Sequence, residues 1–173
     1  MLKGLSTCIF FSRQRALISR LIRWITRSKV SHTGVVYYDE TLGHPMVMHA
    51  IASGFQVSPL VHFRRDSEIV ATYEAKDQPA LLKAIQGISL ELGDGYDYRG
   101  VAGFLWVIML KRWLHVKRNN PVRDSNRMFC SEAVACILQK MPGSGWTGDP
   151  ETTSPEDLLE WVGRSPAFTL VKL

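Results

Sequence analysis

Between His32 and Glu74 the chain strings together four β-rich runs, HTGVVYYDE, PMVMHAI, FQVSPLVHF and EIVATYE. Val, Ile, Tyr, Thr and Phe dominate them, the side chains that suit a pleated, half-buried surface. The first two are joined by TLGHP, a Gly- and Pro-containing turn that reads as an antiparallel hairpin. All four together predict a meander.

The flanking segments have a different period. TCIFF, residues 7 to 11, reads as an opening strand, and RQRALISRLIRWITRSK places Leu17, Ile18, Leu21, Ile22, Trp24 and Ile25 at helical spacing with arginines on the other side. A second helix is expected from Asp77, which can cap it, with Pro79 in the first turn, Leu81, Ile85, Ile88 and Leu92 on one face, and Gly93 as its end. After GDGYDYRG comes another helical segment to about His115, then the polar loop KRNNPVRDSN. Residues 131 to 141 predict a helix with Val134, Ile137, Leu138 and Met141 on one face, stopped by Pro142 and Gly143. Ser154 as cap and Pro155 at the first helical position open a last helix, and AFTLVKL reads as the closing strand. Strands and helices do not alternate as a doubly wound parallel sheet requires, so the expected class is α+β, an antiparallel sheet packed against helices. At 173 residues, a single domain over 1–173 is expected.

The net charge of +5 is concentrated. Seven basic residues, from Lys3 to Lys29, precede the first acidic one, Asp39, and a second basic stretch runs from Lys111 to Arg127. Such clusters suit an anionic surface, contacted through Arg20, Arg23 and Arg27, or they are solvated helix faces; nucleic acid is the weaker expectation. The basic amphipathic helix fits two placements, one covering a sheet with its arginines in water and one lying on a membrane. The longest apolar run, residues 101 to 110, is about half the roughly 20 residues a spanning helix needs. No signal peptide is read at the N-terminus. Three cysteines without C-x-x-C spacing argue for free thiols in a reducing, cytoplasmic setting, with peripheral membrane association as a variant.

Cys130 precedes the helix at 131 to 141, where backbone N–H groups and the helix dipole favour a thiolate by about 0.3 to 1 kcal/mol, well under one pKa unit. A base must supply most of the activation, and His32, at the start of a strand and followed by Thr33 and Gly34, is placed for that role. His32 and His49 share a face if opposing residue numbers in the hairpin sum to an odd value, and lie on opposite faces if the sum is even. Apolar residues occupy both faces, so the pattern leaves both registers open. Cys8 and Cys136 read as core, and Glu132 as a cap. Of the three thiols, Cys130 is expected to be alkylated first near neutrality. No metal site is expected, because His44, His49 and His62 lack ligand spacing.

TCIFFSRQRALISRLIRWITRSKVSHTGVVYYD, MVMHAIASGFQV, LGDGYDYRG, MFCSEAVACIL and TTSPEDLLEW, in that order, resemble the YiiX-like proteins, the circularly permuted branch of the NlpC papain-like superfamily. The resemblance spans about residues 6 to 161. It implies a permuted papain-like fold with Cys130 as nucleophile, His32 as base, His49 as the third polar residue, Tyr96 and Ser131 at the substrate, and no cofactor. Lecithin:retinol acyltransferase-like enzymes, a related branch, also place two histidines before the cysteine. Two departures stand out: His49 replaces what is often a carboxylate, and the opening segment is Ser6-Thr7-Cys8. The implied activity is hydrolysis of an amide in a cell-wall peptide or N-acyl compound. Alternatives are a lipid-directed thiol acyltransferase or esterase and a non-catalytic binding domain. A bacterial or phage source is implied, while oligomeric state is not.

Overall fold

The computed structural model describes residues 5–51, 54–89 and 129–173, apart from the side chains of residues 18, 22, 25 and 26. Six strands form one antiparallel sheet: β1 (Cys8–Gln14), β2 (His32–Asp39), β3 (His44–Ile51), β4 (Gly54–Pro59), β5 (Ser67–Ala75) and β6 (Phe168–Val171), in the order β4-β3-β2-β1-β5-β6. The described helices are α1 (Leu17–Thr26), α2 (Leu60–Asp66), α3 (Gln78–Gln86), α4 (Cys130–Lys140) and α5 (Pro155–Arg164), with a 3-10 turn at Pro150–Thr152. The α+β expectation is met.

The predicted meander holds only for β2 to β4. Leu60 and Phe63, three residues apart and both buried, turn the end of FQVSPLVHF into α2, which carries the chain back so that β5 pairs with β1. The first strand thereby becomes central, hydrogen-bonded on both edges. A bulge between Phe11 and Ser12 marks the β1–β5 pairing.

Both faces of the central strands are covered. On one, Ile9, Phe11, Val35 and Met48 pack with Leu81, Val134, Leu138 and Leu158 of α3, α4 and α5; on the other, Phe10, Val36 and Val47 pack with Leu60 and Phe63 of α2. Each fully buried Leu, Val or Phe side chain contributes about 1.5–3 kcal/mol.

The predicted caps form. Asp77 accepts from the Ala80 N–H at 2.9 Å, and Ser154 Oγ accepts from the Asp157 N–H at 3.1 Å while Asp157 accepts from the Ser154 N–H at 3.0 Å. However, α3 ends at Gln86 with Gly87 as its C-cap rather than continuing to Gly93, which lies outside the described residues. Ile88 is still buried beyond that end. Leu92 and the helical segment expected up to His115 also lie outside the described residues.

The covering placement of α1 is not observed for the apolar side chains described there. Leu17, Leu21 and Trp24 are exposed, while Ser19 is buried and bonds Ser31. No described helix is long and apolar enough to cross a membrane.

Candidate active site

Cys130 is the first residue of α4. Phe129 before it is extended, with φ −102° and ψ 165°, and its N–H donates to the buried Glu132 carboxylate at 3.5 Å, the outer limit of a hydrogen bond. This confirms Glu132 as a cap. The helix start packs at the beginning of β2, where the backbone N–H groups of Thr33, Ser131 and Cys130 itself act on the buried sulfur. Thr33 Oγ donates to the Phe10 carbonyl at 2.8 Å and ties that end of β2 to β1.

The hairpin register is the odd one, with Val35 opposite Met48 and Val36 opposite Val47. His32 and His49 therefore share a face as diagonal neighbours, and their rings meet, His32 Nε2 lying 3.0 Å from His49 Nδ1. The second pairing repeats this diagonal. Val47 is opposite Ser58, so Ser58 falls on the same face as His49, with its Oγ 3.2 Å from His49 Nε2. Three adjacent strands thus carry a continuous polar chain, His32, His49, Ser58.

Aromatic rings enclose it. Phe63 lies 5.9 Å from His32 and 5.1 Å from His49 between ring centroids, and Phe10 lies 6.1 Å from His32. Gly34 keeps the space open. A Cβ there would stand 2.6 Å from the Met48 carbonyl oxygen, 2.9 Å from Phe10 Cε1 and 3.0 Å from His49 Cβ.

Burial governs the protons. Desolvation, then the neighbouring His49, pushes His32 down to about 3, and desolvation pushes His49 down to about 4. Burial pushes the Cys130 thiol up to about 11, outweighing the three amides that favour the thiolate. At rest all three groups are neutral. Cys130 is buried with its thiol held up, whereas Cys136 is partly exposed, an arrangement that runs against Cys130 being alkylated first.

Sulfur and imidazoles approach from different sides of the sheet. Cys130 belongs to the core beneath α4, whereas the histidines share the α2 face with Phe10 and Phe63. The Thr33 N–H meets the sulfur, and His32 is the residue before Thr33 at the start of β2. His32 is not among the groups acting on the sulfur in this structure. Ser131 is buried, its Oγ without a hydrogen-bond partner among the described residues, and its amide rather than its hydroxyl faces the sulfur. Tyr96 lies outside the described residues.

Ser58, Phe63 and Phe10 were not singled out by the sequence pattern. For Ser58 the available signal was its two-residue spacing from Gln56, the residue opposite His49. Among the described residues no group of three or more His, Cys, Asp or Glu side chains is gathered to hold a metal ion.

The whole architecture matches the crystal structure of the metalloprotein YiiX from Escherichia coli O157:H7, with a TM-score of 0.59 and 19% identity over 96% of each chain. The chain has the YiiX fold. Neither protein-family models nor curated proteins give a match. YiiX is a metalloprotein by name, but here the facing nitrogens of His32 and His49 are bonded to each other, and these two imidazoles fall short of a metal's usual ligand count.

Proposed function

We propose that this chain, with its YiiX fold, is a permuted papain-like cysteine hydrolase that cleaves an amide bond through an acyl-enzyme. The observation that supports this reading best is the ordered chain His32–His49–Ser58 ending beside the start of β2, where Cys130 is also held. A thiol, a base and a group orienting that base are what nucleophilic catalysis by cysteine needs.

One assignment of the ring protons leaves His32 a working nitrogen. When His49 Nε2–H donates to Ser58 Oγ, His49 Nδ1 accepts from His32 Nε2–H, and His32 Nδ1 is left bare. That nitrogen takes the Cys130 proton as sulfur attacks the carbonyl carbon. The oxyanion is held by the Cys130 amide and a further donor. His32 Nδ1–H then protonates the departing amine, leaving a thioester on Cys130. Water attacks the thioester, gives its proton to His32 Nδ1, and the thiol is regenerated with release of the acid.

Because the thiol is held up and His32 held down, no thiolate–imidazolium pair exists at rest. Proton transfer accompanies attack. His49 cannot supply the negative charge of a carboxylate, so its contribution is orientation.

Intact-mass analysis after exposure to peptide, N-acyl and phospholipid substrates tests this. The expected product is one acyl adduct per chain on Cys130, absent from Cys130→Ala and formed far more slowly in His32→Ala. An adduct drawn only from phospholipid would identify the lipid-directed acyltransferase instead. No adduct and no turnover from any substrate would mark a binding domain.

A further inference from the structure

A cavity of about 1030 Å³ opens between α1, the end of α2, β5 and β6, and none of Cys130, His32 and His49 lines it. Arg13, Arg15, Arg20, Arg23, Arg64, Arg65 and Lys172 line it. The acidic side chain among the described lining residues is Glu68, and Arg13 engages it in a two-pronged bond of 2.9 and 2.7 Å. Arg15 and Arg23 also act on Glu68, lowering its pKa after Arg13. One side-chain carboxylate does not balance seven cationic side chains. Arg23 Nε, moreover, is buried with no acceptor among the described residues, a costly arrangement unless an anion enters.

The same helix carries a second feature. Leu17, Leu21 and Trp24 recur at i, i+4 and i+7, and are 78%, 47% and 68% exposed. Ser19, about 200° around the helix from Leu17, is the buried contact with the sheet. The apolar stripe thus faces away from the body, and the arginine stripe lies beside it.

We propose that this face docks on an anionic membrane, with a lipid phosphate in the arginine cavity and Leu17, Leu21 and Trp24 in the boundary between headgroups and acyl chains. Charge complementarity selects the headgroup, and the exposed apolar stripe selects a lipid over a nucleic acid, whose backbone offers nothing for Leu17 and Leu21 to enter. The surface is independent of the thiol chemistry.

Co-sedimentation of the full chain with vesicles of phosphatidylcholine alone, or of phosphatidylcholine with phosphatidylglycerol, provides the test. Binding is expected to the anionic vesicles and to fall with salt. Arg64→Glu with Arg65→Glu, both at exposed positions, should weaken partitioning roughly tenfold or more. Leu21→Ser with Trp24→Ser should weaken it while leaving the charge intact, with circular dichroism confirming that each variant is folded. Equal binding to neutral vesicles, no binding to either, or unchanged binding by the arginine variant would each overturn the proposal. So would arginine-dependent capture of inorganic phosphate or a single-stranded oligonucleotide without vesicle binding. No turnover is read, so the result stands apart from that of the acyl-capture experiment.

Discussion

Acidification from pH 7 to pH 5 puts the buried imidazole pair under direct test. Unfolded histidines titrate near 6.5, whereas His32 and His49 are held down to about 3 and about 4. Both are neutral in the fold, so the stability they confer is complete above pH 6.5 and is lost as pH falls toward 4 and then 3. Between those limits the unfolded chain binds two protons that the folded chain refuses. Stability should therefore fall by up to about 3 kcal/mol per pH unit, and by about 4 kcal/mol between pH 7 and 5. That is a large part of the 5–15 kcal/mol that holds a typical domain together. Urea unfolding followed by tryptophan fluorescence at half-unit pH steps measures the slope. His49→Gln should reduce the slope by about one proton, whatever it does to stability at neutral pH. A wild-type slope worth less than one proton, or a slope unchanged in His49→Gln, would refute the reasoning.

Three further outcomes are expected. Gly34→Ala sets a Cβ against the Met48 carbonyl, which cannot yield as a flexible side chain does, so a loss of at least about 1–3 kcal/mol should appear in the same unfolding assay, with slower acylation of Cys130. Ser58→Ala removes the last group of the chain, costing about 1 kcal/mol of stability but changing the pH profile of kcat, which a merely structural serine would leave in place. Alkylation by iodoacetamide at pH 7, mapped by peptide mass analysis, should label partly exposed Cys136 ahead of Cys8 and Cys130, whose thiols burial pushes up to about 12 and about 11.

Period and capping made much of the fold legible. TCIFF, the hairpin and the Asp77 and Ser154 caps depend on near neighbours, and they form where the pattern put them. The course of β5 was not legible, because Leu60 and Phe63 serve a short helix as well as they serve a strand, and only packing on Phe10 decides between them. The hairpin register was hidden for a related reason. With α4 on one face and α2 on the other, Val35 and Val36 are both buried, so the apolar pattern carries no record of which way His32 points. The burial that holds the thiol up was not legible either, because the helix start is a local feature, whereas desolvation depends on everything packed around the sulfur.

The polar chain runs across the strands, from β2 through β3 to β4, with each link set by one pairing register. A slip of β3 by a single residue would turn His49 toward α4 and break both links together, while leaving the strand content unchanged. If the polar chain serves as the proposed base, a misassembled sheet cannot present a partly working one. Recovery of relay-dependent activity during refolding would time the final setting of the register.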